Sequence, residues 1–203
     1  MAIYQGEITQ KKNKLFYETY RHIRVKSIQI TSSGGEVEAA IHLARWVFAN
    51  KLDIIVEKYC LSSCANYVFP AGQHKTIRTG SVVAWHGNYH HLYETGLWKS
   101  EITLRMKKYN QDYQAAFNAI SMQVKKLVKL EQSLFADLKV DQFVCWIGKV
   151  PPYNTPDFYF LSRSDMQRFG IKNITLSDDY HNTDMTSIPY DIVYIQLRNN
   201  KKR

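Results

Sequence analysis

The chain has 203 residues, 45% of them hydrophobic and 13% aromatic, enough to bury a sizeable core as one domain, which excludes a disordered or fibrous protein. Its formal charge of +9, from 27 basic and 18 acidic side chains, raises nucleic acid or an anionic membrane surface as partners. The basic residues are spread widely, and the denser groups (Lys11, Lys12 and Lys14; Lys125, Lys126 and Lys129; Lys201 to Arg203) read as solvated helix faces and a tail, so nucleic acid is not expected.

The start of the chain, Met1 to Thr9, predicts a short strand around Ile3 and Tyr4 with a turn at Gly6. Lys14 to Ile23 predicts a helix that buries Phe16, Tyr20 and Ile23 on one face. Val25 to Thr31 is the first clear strand, and it ends in Ser32-Ser33-Gly34-Gly35. Glu36 to Asn50 then places Val37, Ala40, Ile41, Ala44, Val47 and Phe48 on one helical face. Its acids Glu36 and Glu38 sit in the first turn, where they complement the helix dipole.

A second strand, Asp53 to Tyr59, delivers the chain to Cys60-Leu61-Ser62-Ser63-Cys64, followed by a short apolar helix stopped by Pro70 and Gly72. Lys75 to Trp85 reads as a third strand or a hairpin, broken at Gly80 and closing on His86. Strands alternating with helices over residues 25 to 92 indicate an α/β fold with a largely parallel sheet. In such sheets ligands gather at the carboxyl ends of the strands, where Gly34-Gly35, Ser62-Ser63 and His86 all fall. From about 99 to 138 the pattern is helical. An apolar stripe there runs from Tyr109 to Leu138, suited to core packing or a subunit interface, with a break near Gly96 or Val140. Pro151 to Pro156 is an extended loop leading into the aromatic strand Asp157 to Ser162. A short helix ending at Gly170, a last strand at Asp191 to Leu197 and a basic tail at 198–203 complete a single domain over 1–203.

Three cysteines, Cys60, Cys64 and Cys145, are too few for a disulfide scaffold, and their spacing matches no zinc motif. Neither a metal nor another cofactor is expected. Cys60 and Cys64 bracket the serines, as a disulfide in an oxidising compartment or as two buried thiols. No run approaches the roughly 20 apolar residues of a membrane span. Residues 1–20 lack a signal-peptide pattern, so the expected compartment is exported or periplasmic if a signal precedes this sequence and cytoplasmic otherwise.

A serine at a strand-to-helix junction lies beside the free N–H groups of the first helical turn, which can stabilise an oxyanion. Taken with the glycines one strand earlier and the histidine one strand later, this resembles the Clp protease proteolytic subunit and its relatives of the crotonase-like fold. In that family a strand ends in Ser-Pro-Gly-Gly (here Ser32 to Gly35). The nucleophilic serine follows on a helix ending in Ala-Gly (here Ala71-Gly72), and a later strand ends in the catalytic histidine (here His86). An acid then precedes Phe-Leu-Ser (here Phe160-Leu161-Ser162). The nearest likeness is to an uncharacterised, often exported bacterial branch that shares Cys-x-Ser-x-Cys.

The resemblance implies Ser63 as nucleophile, His86 as general base, Asp157 as the orienting acid, and the N–H groups of Gly35 and Cys64 as the oxyanion hole. Spacing to Ala71-Gly72 selects Ser63, whereas Cys-x-Ser-x-Cys points to Ser62. Matched without gaps, Phe158 takes the acid's place and Asp157 falls one residue early. The implied function is a serine peptidase that binds an extended peptide along Gly34-Gly35 and forms a homo-oligomer, with an ATPase or a membrane surface as open partners. Two alternatives are a catalytically silent module that binds peptides or assembles with a partner, and a crotonase-type acyl-CoA enzyme. A Ser-Lys pairing through Lys58 or Lys75 is a further option.

Overall fold

Every strand of the main sheet is parallel to its neighbours, in the order β1-β2-β3-β4-β7, with β5 also joined to β3. These strands are β1 (Ala2–Gln5), β2 (Ser27–Ser32), β3 (Asp53–Leu61), β4 (Lys75–Ile77), β5 (Val82–Ala84) and β7 (Ile174–Thr175). A second pair, β6 (Phe158–Leu161) and β8 (Ile192–Ile195), is also parallel and is tied to the end of β5 by a Trp85–Tyr159 bridge. The computed structural model describes residues 1–100, 103–104, 113–186 and 188–198. The mixed α/β class with a largely parallel sheet is as the sequence predicts.

β2 buries Ile28 and Ile30, and α2 (Val37–Ala49) covers the sheet with Ala39, Ala40, Ile41, Leu43, Ala44 and Val47. Each aliphatic chain of Leu or Ile size so buried contributes roughly 2 kcal/mol. Phe48 lies off this face and is exposed. The first helix, α1 (Gln10–Tyr20), starts earlier than its apolar spacing suggests because the Thr9 hydroxyl caps the Lys12 N–H at 3.1 Å. It ends at Tyr20, before Ile23, which is solvent-exposed.

Residues 75–85 form neither one strand nor a hairpin. β4 pairs with the start of β3 (Ile54–Val56) and β5 with its end (Tyr59–Leu61), both parallel to it. The turn between them has Gly80 at φ +75° and is pinned by the Ser81 hydroxyl donating to the Glu57 carbonyl at 2.7 Å. The strand carrying the histidine thereby lies directly beside the strand carrying the serines.

The helical half contains α4 (Tyr89–Thr95), which ends on left-handed Gly96 as expected, and α5 (Tyr113–Leu138), which ends before Lys139 at φ +55°. Of the predicted stripe, Val124, Leu127 and Leu134 are buried, and Val124 packs with Val128 and Trp98 as a satellite core. Tyr109 at its start, and the tail beyond 198, lie outside the described residues. Near the chain's end, α6 (Arg163–Arg168) is capped by the Ser162 hydroxyl, which accepts from the Asp165 N–H at 3.0 Å.

Candidate active site

Past the end of β3 the chain turns at Ser62, whose φ of +53° is the left-handed conformation that side chains with a Cβ rarely adopt. The turn is held by four neighbours. The Ser62 N–H donates to the Ala84 carbonyl at 3.2 Å, and the Ser62 carbonyl accepts the Asn66 N–H at 2.8 Å. Cys60 and Cys64 form a disulfide across it, which resolves the two readings of that pair. Gly34 packs against it so closely that a Cβ there would fall 2.7 Å from the Ser62 Cβ and 2.8 Å from the Ser63 nitrogen.

His86 stands two residues past the end of β5 and is fixed from both sides. Trp85 exchanges backbone hydrogen bonds with Tyr159 (2.8 and 2.9 Å), and its indole N–H donates to the Ala65 carbonyl at 3.2 Å. On the other side the buried Asn66 amide donates to the Gly87 carbonyl at 2.9 Å. Between these anchors the His86 Nε2 lies 2.7 Å from the Ser62 Oγ.

Ser62, not Ser63, therefore meets the histidine. The Ser63 side chain is buried and donates to the Gly35 carbonyl at 2.9 Å. The spacing that selects Ser63 misleads by one residue because Cys64–Val68 form a π-helical turn before the short helix α3 (Phe69–Ala71). A π-turn takes in one more residue than an α-turn, which lengthens the interval to Ala71-Gly72.

The acid also departs from expectation. Among the described residues no carboxylate is hydrogen-bonded to His86. The Phe158 ring packs on the imidazole instead, with centroids 4.6 Å apart. Asp157 is one residue too early and no bulge restores it. Its backbone carbonyl, with those of Thr155 (3.1 Å) and Pro156 (3.2 Å), accepts from the Lys149 ammonium. Burial against its surroundings lowers the His86 pKa, and nearby Lys149 lowers it further, while the Asp157 charge raises it. The net direction is downward, so at neutral pH the imidazole is unprotonated and able to accept a proton.

The Gly34-Gly35 edge is partly covered by the chain itself. Ile8 donates to the Gly34 carbonyl at 2.7 Å and accepts from the Glu36 N–H at 2.9 Å, and the Gly34 N–H is taken by the Ser32 hydroxyl at 3.1 Å. The N–H groups of Gly35 and Ser63 have no acceptor among the described residues. An added substrate strand thus meets less free backbone at this edge than expected.

With this geometry established, comparison with known proteins adds the fold. No family model matches the chain, and no curated protein matches it. A point mutant of ClpP1 from Listeria monocytogenes superposes with a TM-score of 0.53 at 15% identity, covering 87% of this chain and 91% of that one. The fold is ClpP-like. ClpP1 from the same organism aligns over the same shares at 12% identity with a TM-score of 0.46.

Within this ClpP-like frame two residues escaped the sequence reading. Lys149 stands just before the Pro151–Pro156 loop and belongs to no motif; the folded loop turns the carbonyls of Thr155, Pro156 and Asp157 onto its ammonium. Glu131 is fully buried on α5, with its carboxylate accepting from the Tyr67 hydroxyl (2.5 Å) and from the Tyr89 and His90 N–H groups (3.0 and 2.8 Å). It joins the π-turn to the N-terminus of α4, and burial pushes its pKa up to about 7. A single charged residue inside an apolar stripe is the signal that points to it. Neither lysine of the Ser-Lys option reaches the site. Lys58 is exposed on β3. Lys75 pairs with Ile54 at the far end of β3, roughly 25 Å of strand from Ser62, and its ammonium donates to the Gly72 carbonyl at 2.6 Å.

Proposed function

We propose that this chain is a ClpP-like serine hydrolase acting on peptides through a Ser62–His86 dyad. The observation that carries the reading is the 2.7 Å approach of the Ser62 Oγ to the His86 Nε2, at a residue held in a left-handed turn. A serine hydroxyl is a weak nucleophile until a base takes its proton, and an unprotonated imidazole at this distance suits that role.

In the reaction His86 accepts the Ser62 proton as the Oγ bonds to the substrate carbonyl carbon. The N–H groups of Gly35 and Ser63 stabilise the oxyanion. The Ser63 N–H takes the part that the resemblance gives to Cys64, because the nucleophile lies one residue earlier. His86 then protonates the leaving amine, and water hydrolyses the acyl-enzyme with His86 again as base. The Phe158 ring in the acid's place makes orientation of the imidazole depend on packing and on its backbone anchors. Peptide as substrate, and self-assembly into an oligomer, rest on the ClpP-like fold.

A fluorophosphonate probe tests the reading, with the site of label mapped by mass spectrometry. Label on Ser62, lost in Ser62→Ala and His86→Ala, is expected. A second reading, a silent peptide-binding module, draws on Phe158 at the acid position. Folded wild-type protein that takes no label would favour it.

A further inference from the structure

We propose that the Cys60–Cys64 disulfide positions the Ser62 hydroxyl, so that the reactivity of this serine depends on the oxidation state of the two cysteines. The activity readout rests on the hydrolase reading above. The cross-link closes a five-residue segment with Ser62 at its centre and holds the two Cα atoms 5.2 Å apart. Cys60 is fixed in β3, opposite Ser32 on one side and Val83 on the other, and Cys64 opens the π-turn. The bond therefore ties the rigid strand to the turn that follows the serine.

What else holds Ser62 is modest: one long backbone hydrogen bond to Ala84, one from Asn66, the packing of Gly34, and the side-chain contact with His86 itself. A non-glycine residue persists at positive φ only where its surroundings impose it. His86, by contrast, is anchored chiefly by the Trp85–Tyr159 backbone pair, which lies outside the cross-linked turn, with the Asn66–Gly87 contact second to it. Loss of the cross-link thus frees the nucleophile and leaves the base in place.

The chemistry is a two-electron exchange. A dithiol reductant gives two electrons and two protons, the Cys60–Cys64 S–S bond breaks, two S–H groups form, and the reductant closes to its own disulfide. Both cysteines are fully buried, so the reduced protein is prepared by reduction in denaturant and refolding under dithiol.

The test compares three forms of the full chain: oxidised wild type, reduced wild type, and a Cys60→Ala/Cys64→Ala variant. Rates of fluorophosphonate labelling are measured per folded molecule, with folding checked by near-UV circular dichroism. Reduction is expected to slow labelling roughly ten- to hundredfold, with an unchanged pH midpoint and with recovery on reoxidation. The double variant is expected to be slow and indifferent to reductant.

A cross-link that only stabilises the fold would lower the melting temperature and leave the rate per folded molecule unchanged, and that result overturns the proposal. Amide hydrogen exchange at Ser62 separates this proposal from the hydrolase reading. If no form takes label, the hydrolase reading fails, and faster exchange at Ser62 on reduction, with Ile54 to Val56 unaffected, still supports positioning. Unaltered exchange there overturns it.

Discussion

The hydroxyls of Ser62 and Ser63 point to different partners: the first lies 2.7 Å from the His86 Nε2, and the second donates to the Gly35 carbonyl at 2.9 Å. Replacing Ser63 by alanine should therefore leave Ser62 labelled by an active-site probe. It should cost about 1 kcal/mol of stability from the lost buried hydrogen bond, measured by denaturant titration. Complete loss of label in Ser63→Ala, in protein that remains folded, would contradict this division of roles.

Gly34 faces the serine turn with no room for a methyl group. Gly34→Ala should lower stability by more than about 1 kcal/mol, since its φ of +95° is strained for any other residue. It should also abolish labelling, because the nearest atoms are those of Ser62 and Ser63. A variant with wild-type labelling and stability would show that this close approach is not needed.

The acid limb of the pH profile tests the surroundings of His86. Burial and Lys149 hold its pKa below the ordinary imidazole value of about 6.5. The labelling rate should rise with pH through a midpoint below that value and then stay level to about pH 8. Removing the cation in Lys149→Met should shift the midpoint upward. Thr155 keeps its hydrogen bonds to Gly148 (2.8 and 2.9 Å), so the loop retains an anchor. A midpoint that stays put or falls would rule out Lys149 as a control on the imidazole.

Glu131 should make stability depend on pH. Its folded pKa, up to about 7, lies above the ordinary carboxylate value, so the folded state binds the proton more tightly than the unfolded chain does. That contribution is full at acid pH and is lost between about pH 4.5 and 7, on the order of 1–3 kcal/mol. Thermal midpoints should fall over this window in the wild type and fall less in Glu131→Gln. Equal slopes in the two proteins would show that another group governs the trend.

Much of this molecule is legible in its sequence. The apolar spacing of Ile28 and Ile30, and of Ala40, Ile41, Ala44 and Val47, reflects burial against one layer, so it marks β2 and α2 without any tertiary information. Gly34-Gly35, the serine pair and His86 stand at strand ends for the same reason, which made the ClpP-like fold and the neighbourhood of the site visible.

What sequence by itself determined is which segments form elements and which reactive residues fall where the strands end. Only the tertiary structure decided the register within that site. A π-turn at Cys64–Val68 brings Ser62 rather than Ser63 to the histidine, and the straight run of β6 sets Phe158 rather than Asp157 against it. Each differs from the expected residue by a single position. One-residue shifts barely alter composition or periodicity, yet they turn a side chain to another face, so packing between distant segments settles them. Glu131 shows in the sequence only as a charge interrupting an apolar stripe, and Lys149 not even as that; the role of each exists only once the fold supplies its neighbours.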